Sequence, residues 1–144
     1  MINLLAELVT YLGTKLSLVP GESIFYNNWP DVPSNCVLLQ ENKHSFPVPV
    51  QINASTHHIQ ITTRAATSDE AYQLAAECYR WLLTDDANYA EETIDVIDTT
   101  GFITLQNDIS VYVQLHGTPL WDKTDQQGRR YYYFTATLIT KRII

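Results

Sequence analysis

Glycine, cysteine and basic residues are scarce in this sequence, and each shortage excludes a class of function. The five glycines are scattered, so the chain contains neither a phosphate-binding loop nor a dinucleotide fingerprint. The two cysteines, Cys36 and Cys78, lie far apart and form no pair with the spacing of metal ligands. Nine basic residues against 16 acidic ones give a net charge of -7, which argues against a general nucleic-acid-binding protein.

Long apolar runs are absent as well. No run approaches the roughly 18 residues that a membrane span needs, and the N-terminus has neither the basic region nor the cleavage site of a signal peptide. We therefore expect a soluble protein that is made inside the cell and does not act at a membrane. With 144 residues, of which 45% are hydrophobic, the chain is expected to bury a core and to form one domain over 1–144.

Residues 67–83 are the most informative stretch, because they predict a helix together with its start. Thr67 and Glu70 have the spacing of a capping box, in which two backbone donors at the helix start are satisfied reciprocally. One apolar face recurs at helical spacing: Ala71, Leu74, Ala75, Cys78 and Leu82. Cys78 on this face is expected to be a buried, reduced thiol. A first helix is predicted over 2–18, with Gly13 weakening its middle by up to about 1 kcal/mol.

The remaining segments predict a sheet that supports these two helices. Strands are expected at 23–26, 36–40, 50–54, 57–64, 102–106, 109–115 and 131–142, from alternating apolar and polar residues or high Val and Ile content. Loops are expected at 41–49, 85–92 and 116–130, with turns at 98–101 and 107–108. Because helices and strands are grouped and the strand connections are short, we predict an α+β fold, a mostly antiparallel sheet with two helices packed on it.

The candidate catalytic and metal-binding residues form no constellation. His57 and His58 are neighbours in a predicted strand, so they point to opposite faces and cannot chelate one metal together. His44 and His116 have no His or Cys partner at ligand spacing. The acidic residues of 85–92 are expected to be solvated around a turn, with weak divalent-cation binding as the alternative. We therefore expect neither an enzyme nor a bound cofactor.

Aromatic residues give a stronger signal, because nine tyrosines and three tryptophans are present and several fall where a monomer is expected to expose them. Tyrosine and tryptophan are enriched at protein interfaces. Together with the charged residues of the loop at 121–130 and the strand-end arginine, they form the predicted contact set: Arg64, Tyr72, Tyr79, Trp81, Trp121, Asp125, Arg129, Arg130, Tyr131 and Tyr133. The alternative is that the helix aromatics pack under the acidic loop, the tyrosines cover the sheet, and the loop is a hairpin connection in which Gly128 supplies a positive φ.

Several stretches resemble the tailed-phage minor capsid and tail-terminator, or head–tail joining, proteins. They are Val50-Gln51-Ile52, Ile59–Arg64 running into Asp69-Glu70-Ala71, Trp81-Leu82-Leu83, Gly117-Thr118-Pro119-Leu120, Asp125-Gln126-Gln127-Gly128-Arg129 and the strand from Tyr132 to Thr137. The resemblance covers the chain from about Cys36 to Arg142. It departs from the family at 42–49, where the prolines leave the direction of that segment open.

The resemblance implies an α+β structural protein of the virion, assembled in the host cytoplasm and placed at the neck end of the tail. Such proteins cap the tail tube as a ring, expected to be a hexamer, and face the head connector, while DNA passes through without specific binding. By position, the strand ending in Arg64, the helix 67–83 and the loop 116–130 are expected to build the contacts. Trp121 and Tyr79 are hypothesised to lie on the two patches that meet in the ring.

Other functions are consistent with the same residues. One is another neck, tail-completion or minor tail protein. A second, from a different class, is a small-ligand-binding or enzymatic α+β domain with a pocket between helix 67–83 and the sheet. A third is a toxin–antitoxin or regulatory partner that forms a dimer. An acidic ring lumen, which would repel passing DNA, is a further hypothesis of the ring interpretation.

Overall fold

A computed structural model describes residues 4–28, 34–41, 54–84, 100–106 and 109–141. Within these ranges the chain forms, in order, α1 (Leu4–Leu16), β1 (Ile24–Tyr26), β2 (Cys36–Glu41), β3 (Ala54–Ala65), α2 (Ser68–Leu83), β4 (Thr100–Leu105), β5 (Ile109–Thr124) and β6 (Arg130–Lys141). The α+β class with two helices is confirmed. The predictions for 42–53, 85–99 and 107–108 lie outside the described residues, and so does the proposed cation binding by the acidic segment 85–92.

The six described strands form one sheet in the order β1-β2-β3-β6-β5-β4. Four of its neighbouring pairs are antiparallel, but β1 and β2 run parallel, so the sheet is mixed and the description as simply antiparallel is incomplete. The sheet is also curled. Helix α1 contacts β1 and β2 at one edge and β4 at the opposite edge, which a flat sheet of this width does not allow.

The core lies between the two helices and the inner face of the curled sheet. Helix α2 packs on the central strands β3 and β6 and also on β5 and β4. Buried apolar side chains fill the space between α2 and the sheet, including Cys78, Leu82, Ile61, Phe134 and Val113. The predicted pocket between this helix and the sheet is therefore occupied by core residues in the described part of the chain.

The start of α2 follows the predicted capping geometry in part. Thr67 is the N-cap, and its hydroxyl accepts a hydrogen bond from the Glu70 amide at 3.2 Å. The Glu70 carboxylate accepts a hydrogen bond from the Asn35 side-chain amide at 3.2 Å, and so ties the helix to the chain just before β2. The cap is thus both a local and a tertiary contact.

Helix α1 ends in a left-handed residue that is not glycine. Ser17 has a φ of 58°. The Leu18 amide donates a hydrogen bond to the Gly13 carbonyl at 2.8 Å, and this is the 6→1 hydrogen bond of a Schellman motif. A Cβ at position 13 would lie 2.9 Å from the Leu18 carbonyl oxygen. The absence of a side chain at Gly13 therefore lets the backbone at Leu18 pack against the last turn of the helix. Helix propensity alone did not predict this role.

Three predicted boundaries are wrong, each because tertiary pairing overrides a local turn signal. β3 continues through Ser55 and Thr56, where a break was predicted, because it pairs with β6 along its whole length. β4 begins at Thr100, inside the predicted turn. Gly101 lies against the Leu83 carbonyl at the end of α2, and a Cβ there would clash with that backbone.

The third wrong boundary is the predicted loop at 116–130, most of which is strand. β5 runs to Thr124, and only 125–129 connect it to β6. The pairing shifts register between His116 and Leu120 and again between Trp121 and Lys123, so the strand accommodates Gly117 and Pro119 in a bulge. Polar composition predicted a loop here, but pairing with the tyrosine-rich β6 decides the conformation.

Candidate functional site

The described structure separates the ten predicted contact residues into three groups. Four of them form a packed cluster at the β5–β6 turn, namely Arg64, Asp125, Arg129 and Tyr131. Two others belong to the helices' own packing, namely Tyr79 and Trp81. The remaining four lie on or beside the outer part of the β5–β6 hairpin, namely Tyr72, Trp121, Arg130 and Tyr133. The predicted set is therefore not one surface.

Asp125 organises the β5–β6 turn. Its carboxylate accepts hydrogen bonds from the Gln127 and Arg129 amides at 2.9 and 3.0 Å, from the Arg129 Nε at 2.7 Å and from the Tyr131 hydroxyl at 3.0 Å. Gly128 closes the turn with a φ of 80°, as predicted for a hairpin connection. Desolvation raises the pKa of Asp125, but these hydrogen bonds outweigh it and lower the pKa to about 2.

Arg64 and Arg129 are buried, contrary to the expectation of surface contact residues. Arg64 pairs in register with Cys36 on one side and Tyr131 on the other, and its guanidinium lies 5.9 Å from the centre of the Tyr131 ring. Desolvation raises the pKa of the Cys36 thiol, although both arginines act in the opposite direction. Tyr131 itself is 6% exposed. These side chains stabilise the base of the hairpin and are not available to a partner.

Tyr79 lies in the core of the subunit, although the sequence predicted an exposed position, and its role in a contact patch stays a prediction. It is 7% exposed, and its ring makes an edge-to-face contact with Phe134, with ring centres 5.5 Å apart. The apolar face predicted for α2 from the sequence did not include Tyr79. Because the sheet curls around the helix, a residue at the flank of the apolar face also becomes buried.

Trp81 joins the two helices. Its backbone carbonyl accepts a hydrogen bond from the Tyr11 hydroxyl at 2.6 Å, and the Lys15 ammonium lies 4.9 Å from the centre of its indole ring. The side chain is half-buried and packs against the core. Its position is therefore explained by packing within the subunit, against helix α1.

The outer part of the hairpin carries exposed side chains on both of its faces. The face towards α2 carries Trp121 and Arg130 beside Tyr72, and we term this surface the hairpin patch. Leu120 and Lys123 lie on the opposite face, with Tyr133 and Tyr131. Leu120 and Trp121 are 54% and 55% exposed. Trp121 pairs in register with Tyr132, whose ring contacts the exposed Tyr72 edge-to-face at 5.5 Å. The Tyr132 hydroxyl also hydrogen-bonds the Ser68 hydroxyl at 2.9 Å. This link through Tyr132, which the sequence-based set omitted, connects the helix aromatic with the hairpin aromatic.

One cationic side chain, Arg130, completes the hairpin patch, and its Nη1 donates to the Thr124 hydroxyl at 2.7 Å. On the opposite face of the hairpin, the Lys123 ammonium lies 4.9 Å from the centre of the Tyr131 ring, and Tyr133 is half-buried beside Leu120, its partner in the strand register. Exposed aromatic side chains beside an arginine are a composition typical of protein contact surfaces.

A groove of about 510 Å³ lies on the other flank of α2 and was not predicted. We term it the acidic groove, and it is lined by Leu18, Asn35, Asp69, Glu70, Gln73, Leu74 and Glu77. Its signal was present in the sequence, because Asp69, Gln73 and Glu77 recur at a spacing of four residues and so share a helix face. None of these described lining residues is cationic.

A third exposed apolar feature lies at the β4 edge of the sheet. Phe102 is 68% exposed and makes an edge-to-face contact with Tyr112 across the β4–β5 pair, with ring centres 5.0 Å apart. Among the described residues, no group of three or more His, Cys, Asp or Glu side chains is placed to hold a metal ion. The surface features of the described chain are thus apolar patches and charged rims.

Comparison with known proteins decides the family. A family model described as bacteriophage tail terminator protein matches residues 11–142. The chain belongs to the bacteriophage tail terminator family. The family consists of phage structural proteins, which are generally not enzymes, and membership makes the protein a component of the virion.

The other comparisons add little to the family assignment. No curated protein matches the sequence. One solved structure aligns over 96% of this chain and 96% of its own with 10% identity and a TM-score of 0.49. Neither described helix of this tail terminator family member is long and apolar enough to cross a membrane.

Proposed function

We propose that this protein caps the phage tail tube as a closed ring of identical copies, expected to be a hexamer, and connects the completed tube to the head. The observation that carries the proposal is the tail terminator family match over 11–142. A protein that terminates a tube must bind the last tube subunits and prevent the next ones from adding. Its partners are therefore further copies of itself, the tail tube protein and the neck proteins on the head side.

The exposed surface of the described chain supports a ring. A cyclic ring needs heterologous contacts, in which two different patches of each copy meet. The hairpin patch and the acidic groove are different in chemistry and lie on different flanks of α2. Phe102 and Tyr112 form a further aromatic surface at the β4 edge, which is available for a contact along the tube axis.

Charge supports passage of DNA without specific binding. The net charge of -7 accumulates over every copy of a ring, and DNA phosphates are repelled by a wall of like charge. We propose that the lumen of the ring is acidic. DNA retention on the assembled ring at low ionic strength would contradict this part of the proposal.

The proposed function is tested by polymerisation of the purified tail tube protein. Tubes grown alone are expected to elongate until the protein is consumed, whereas added terminator should stop elongation and leave shorter tubes. Tube length is measured by negative-stain microscopy at several ratios of terminator to tube protein. Tubes whose length does not depend on that ratio would refute the capping function.

A further inference from the structure

We propose that, in the ring, the hairpin patch of one copy docks into the acidic groove of the next copy. The inference rests on the proposed function, because it names the two surfaces through which copies of this chain meet. It commits to a second copy as the occupant of the groove. It assigns Trp121 and Arg130 as the inserted side chains and α2 with Leu18 as the receiving surface.

The two surfaces match in chemistry. The groove has an apolar floor formed by Leu18 and Leu74, bordered by the carboxylates of Asp69, Glu70 and Glu77. The exposed hairpin presents the Trp121 indole, which is 55% exposed, on the same face as the cationic side chain of Arg130. Asp125 and Arg129 form an ion pair within the turn, at 2.7 Å. The groove volume of about 510 Å³ accommodates an indole side chain.

The charge on each surface favours contact between a hairpin patch and an acidic groove over contact between two hairpin patches or two grooves. With Asp125 and Arg129 paired to each other, the tip of the hairpin carries two further cations, Lys123 and Arg130, and one further anion, Asp122, and Arg130 lies on the same face as Trp121. Two grooves facing each other would oppose six carboxylates, three from each copy. Complementary surfaces accelerate association and suppress like-charge pairings, so the hairpin-to-groove arrangement is preferred.

The positions of the two surfaces suit a closed ring. One row of paired residues crosses the sheet from Cys36 through Arg64 and Tyr131 to Lys123. Asn35, which lines the groove, precedes the first of these residues, and Lys123 of the hairpin is the last. The two surfaces therefore lie at the same end of the sheet, separated by three strand spacings, or about 14 Å.

Equal height along the strands is compatible with a closed ring. A heterologous contact repeated from copy to copy closes when each step is a rotation and generates a helix when each step also rises. The proposal takes successive copies to be related by rotation about an axis parallel to the strands, because the hairpin and the groove then meet with little rise.

The test uses two variants that each block one surface. Trp121→Ala removes the main inserted side chain, and the Gln73→Lys, Glu77→Lys double variant cancels the negative charge of the groove and fills it with two long cationic side chains without altering the start of α2. Truncation of a central interface aromatic typically weakens binding by about 30-fold or more. Each variant alone is therefore expected to stay monomeric in light scattering at concentrations at which the wild-type protein forms rings.

A mixture of the two variants gives the decisive result. The groove-blocked chain retains its hairpin, and the Trp121→Ala chain retains its groove, so one contact remains possible between them. An equimolar mixture is expected to form heterodimers and no rings. Phe102→Ala, which removes a similarly exposed aromatic from β4, and Glu41→Lys, a charge reversal at the far end of β2, should both leave ring formation unchanged.

The outcomes separate this inference from the proposed function. Rings that persist in both blocked variants, or a mixture that stays monomeric, would overturn the hairpin-to-groove contact while leaving the capping function intact. Wild-type protein that remains monomeric in solution and on tube ends would instead refute the ring itself. Thermal unfolding midpoints close to the wild-type value exclude misfolding as the cause of lost assembly.

Discussion

Replacing Tyr79 by alanine tests whether this aromatic belongs to the core of the subunit or to its contact surface. The side chain is 7% exposed and lies edge-to-face against Phe134. Truncation of a buried aromatic side chain typically costs about 3–5 kcal/mol of unfolding free energy, because burial is lost and a cavity remains. Against a total stability of about 5–15 kcal/mol for a domain, this is a large fraction.

Urea unfolding followed by tryptophan fluorescence measures the effect, at protein concentrations at which the chain is monomeric so that assembly does not contribute. With a denaturant slope of about 2 kcal/mol per molar urea, the midpoint of Tyr79→Ala should fall by about 1.5–2.5 M. Tyr79→Phe keeps the ring contact with Phe134 and should cost much less. Trp121→Ala removes an exposed side chain, so its midpoint should change by less than about 0.5 M while its assembly is lost.

A Tyr79→Ala midpoint within about 0.5 M of the wild type, combined with lost assembly, would refute the core assignment. That result would indicate that Tyr79 belongs to the contact surface, as predicted from the sequence. Lost stability together with an unaffected Trp121→Ala midpoint would confirm that the two aromatics have different roles. The comparison therefore separates folding from assembly at the level of single side chains.

Four further substitutions test the backbone geometry and the pH dependence of stability. Ser17→Gly should raise the thermal midpoint measured by differential scanning calorimetry by about 2–4 °C, because the left-handed φ costs about 1 kcal/mol for a non-glycine residue. In the same assay Gly13→Ala should lower the midpoint despite alanine's helix propensity, because the added Cβ would lie 2.9 Å from the Leu18 carbonyl oxygen. Gly101→Ala should lower it further, since the added Cβ would clash with the backbone of α2; an unchanged midpoint would show that β4 lies farther from the helix. Asp125 has a folded-state pKa of about 2, below its ordinary value of 3.8, so the stability it contributes is present above about pH 4 and is lost as the pH falls towards 2. Asp125→Asn should flatten the dependence of the thermal midpoint on pH across this window, and an unaltered pH profile would contradict the turn geometry.

Sequence patterns predicted the elements that local interactions determine. Helix α2 begins at its predicted cap, Thr67, because capping depends on neighbouring residues only. The alternation in β5 likewise identified Val111 and Val113 as core residues. The family resemblance, carried by scattered stretches of the chain, was confirmed by the match over 11–142.

Features that depend on tertiary pairing were not predictable in the same way. The parallel β1–β2 pair depends on the path of the connection between them, and no periodicity in either strand encodes it. Arg64 has a polar, strand-end position in the sequence, yet β2 and β6 on both sides and the Tyr131 ring bury it. Tyr79 was misplaced because the width of a helix's buried face depends on how far the sheet curls around it.

The acidic groove is an intermediate case. The spacing of Asp69, Gln73 and Glu77 was visible, but acidic residues on one helix face usually indicate solvent exposure and nothing more. Only the fold brings Leu18 and Asn35 beside them and turns a polar helix face into a groove with an apolar floor. The distinction between a solvated face and a contact surface therefore came from tertiary structure.

The most direct test of the central claim is to image tail tubes completed in the presence of this protein by electron microscopy. The account predicts a ring of additional density at one end of each tube, with tubes that no longer elongate when fresh tube protein is added. Tubes with bare ends that keep growing, or protein bound along the tube walls, would contradict the assignment of this protein as the cap of the tail tube.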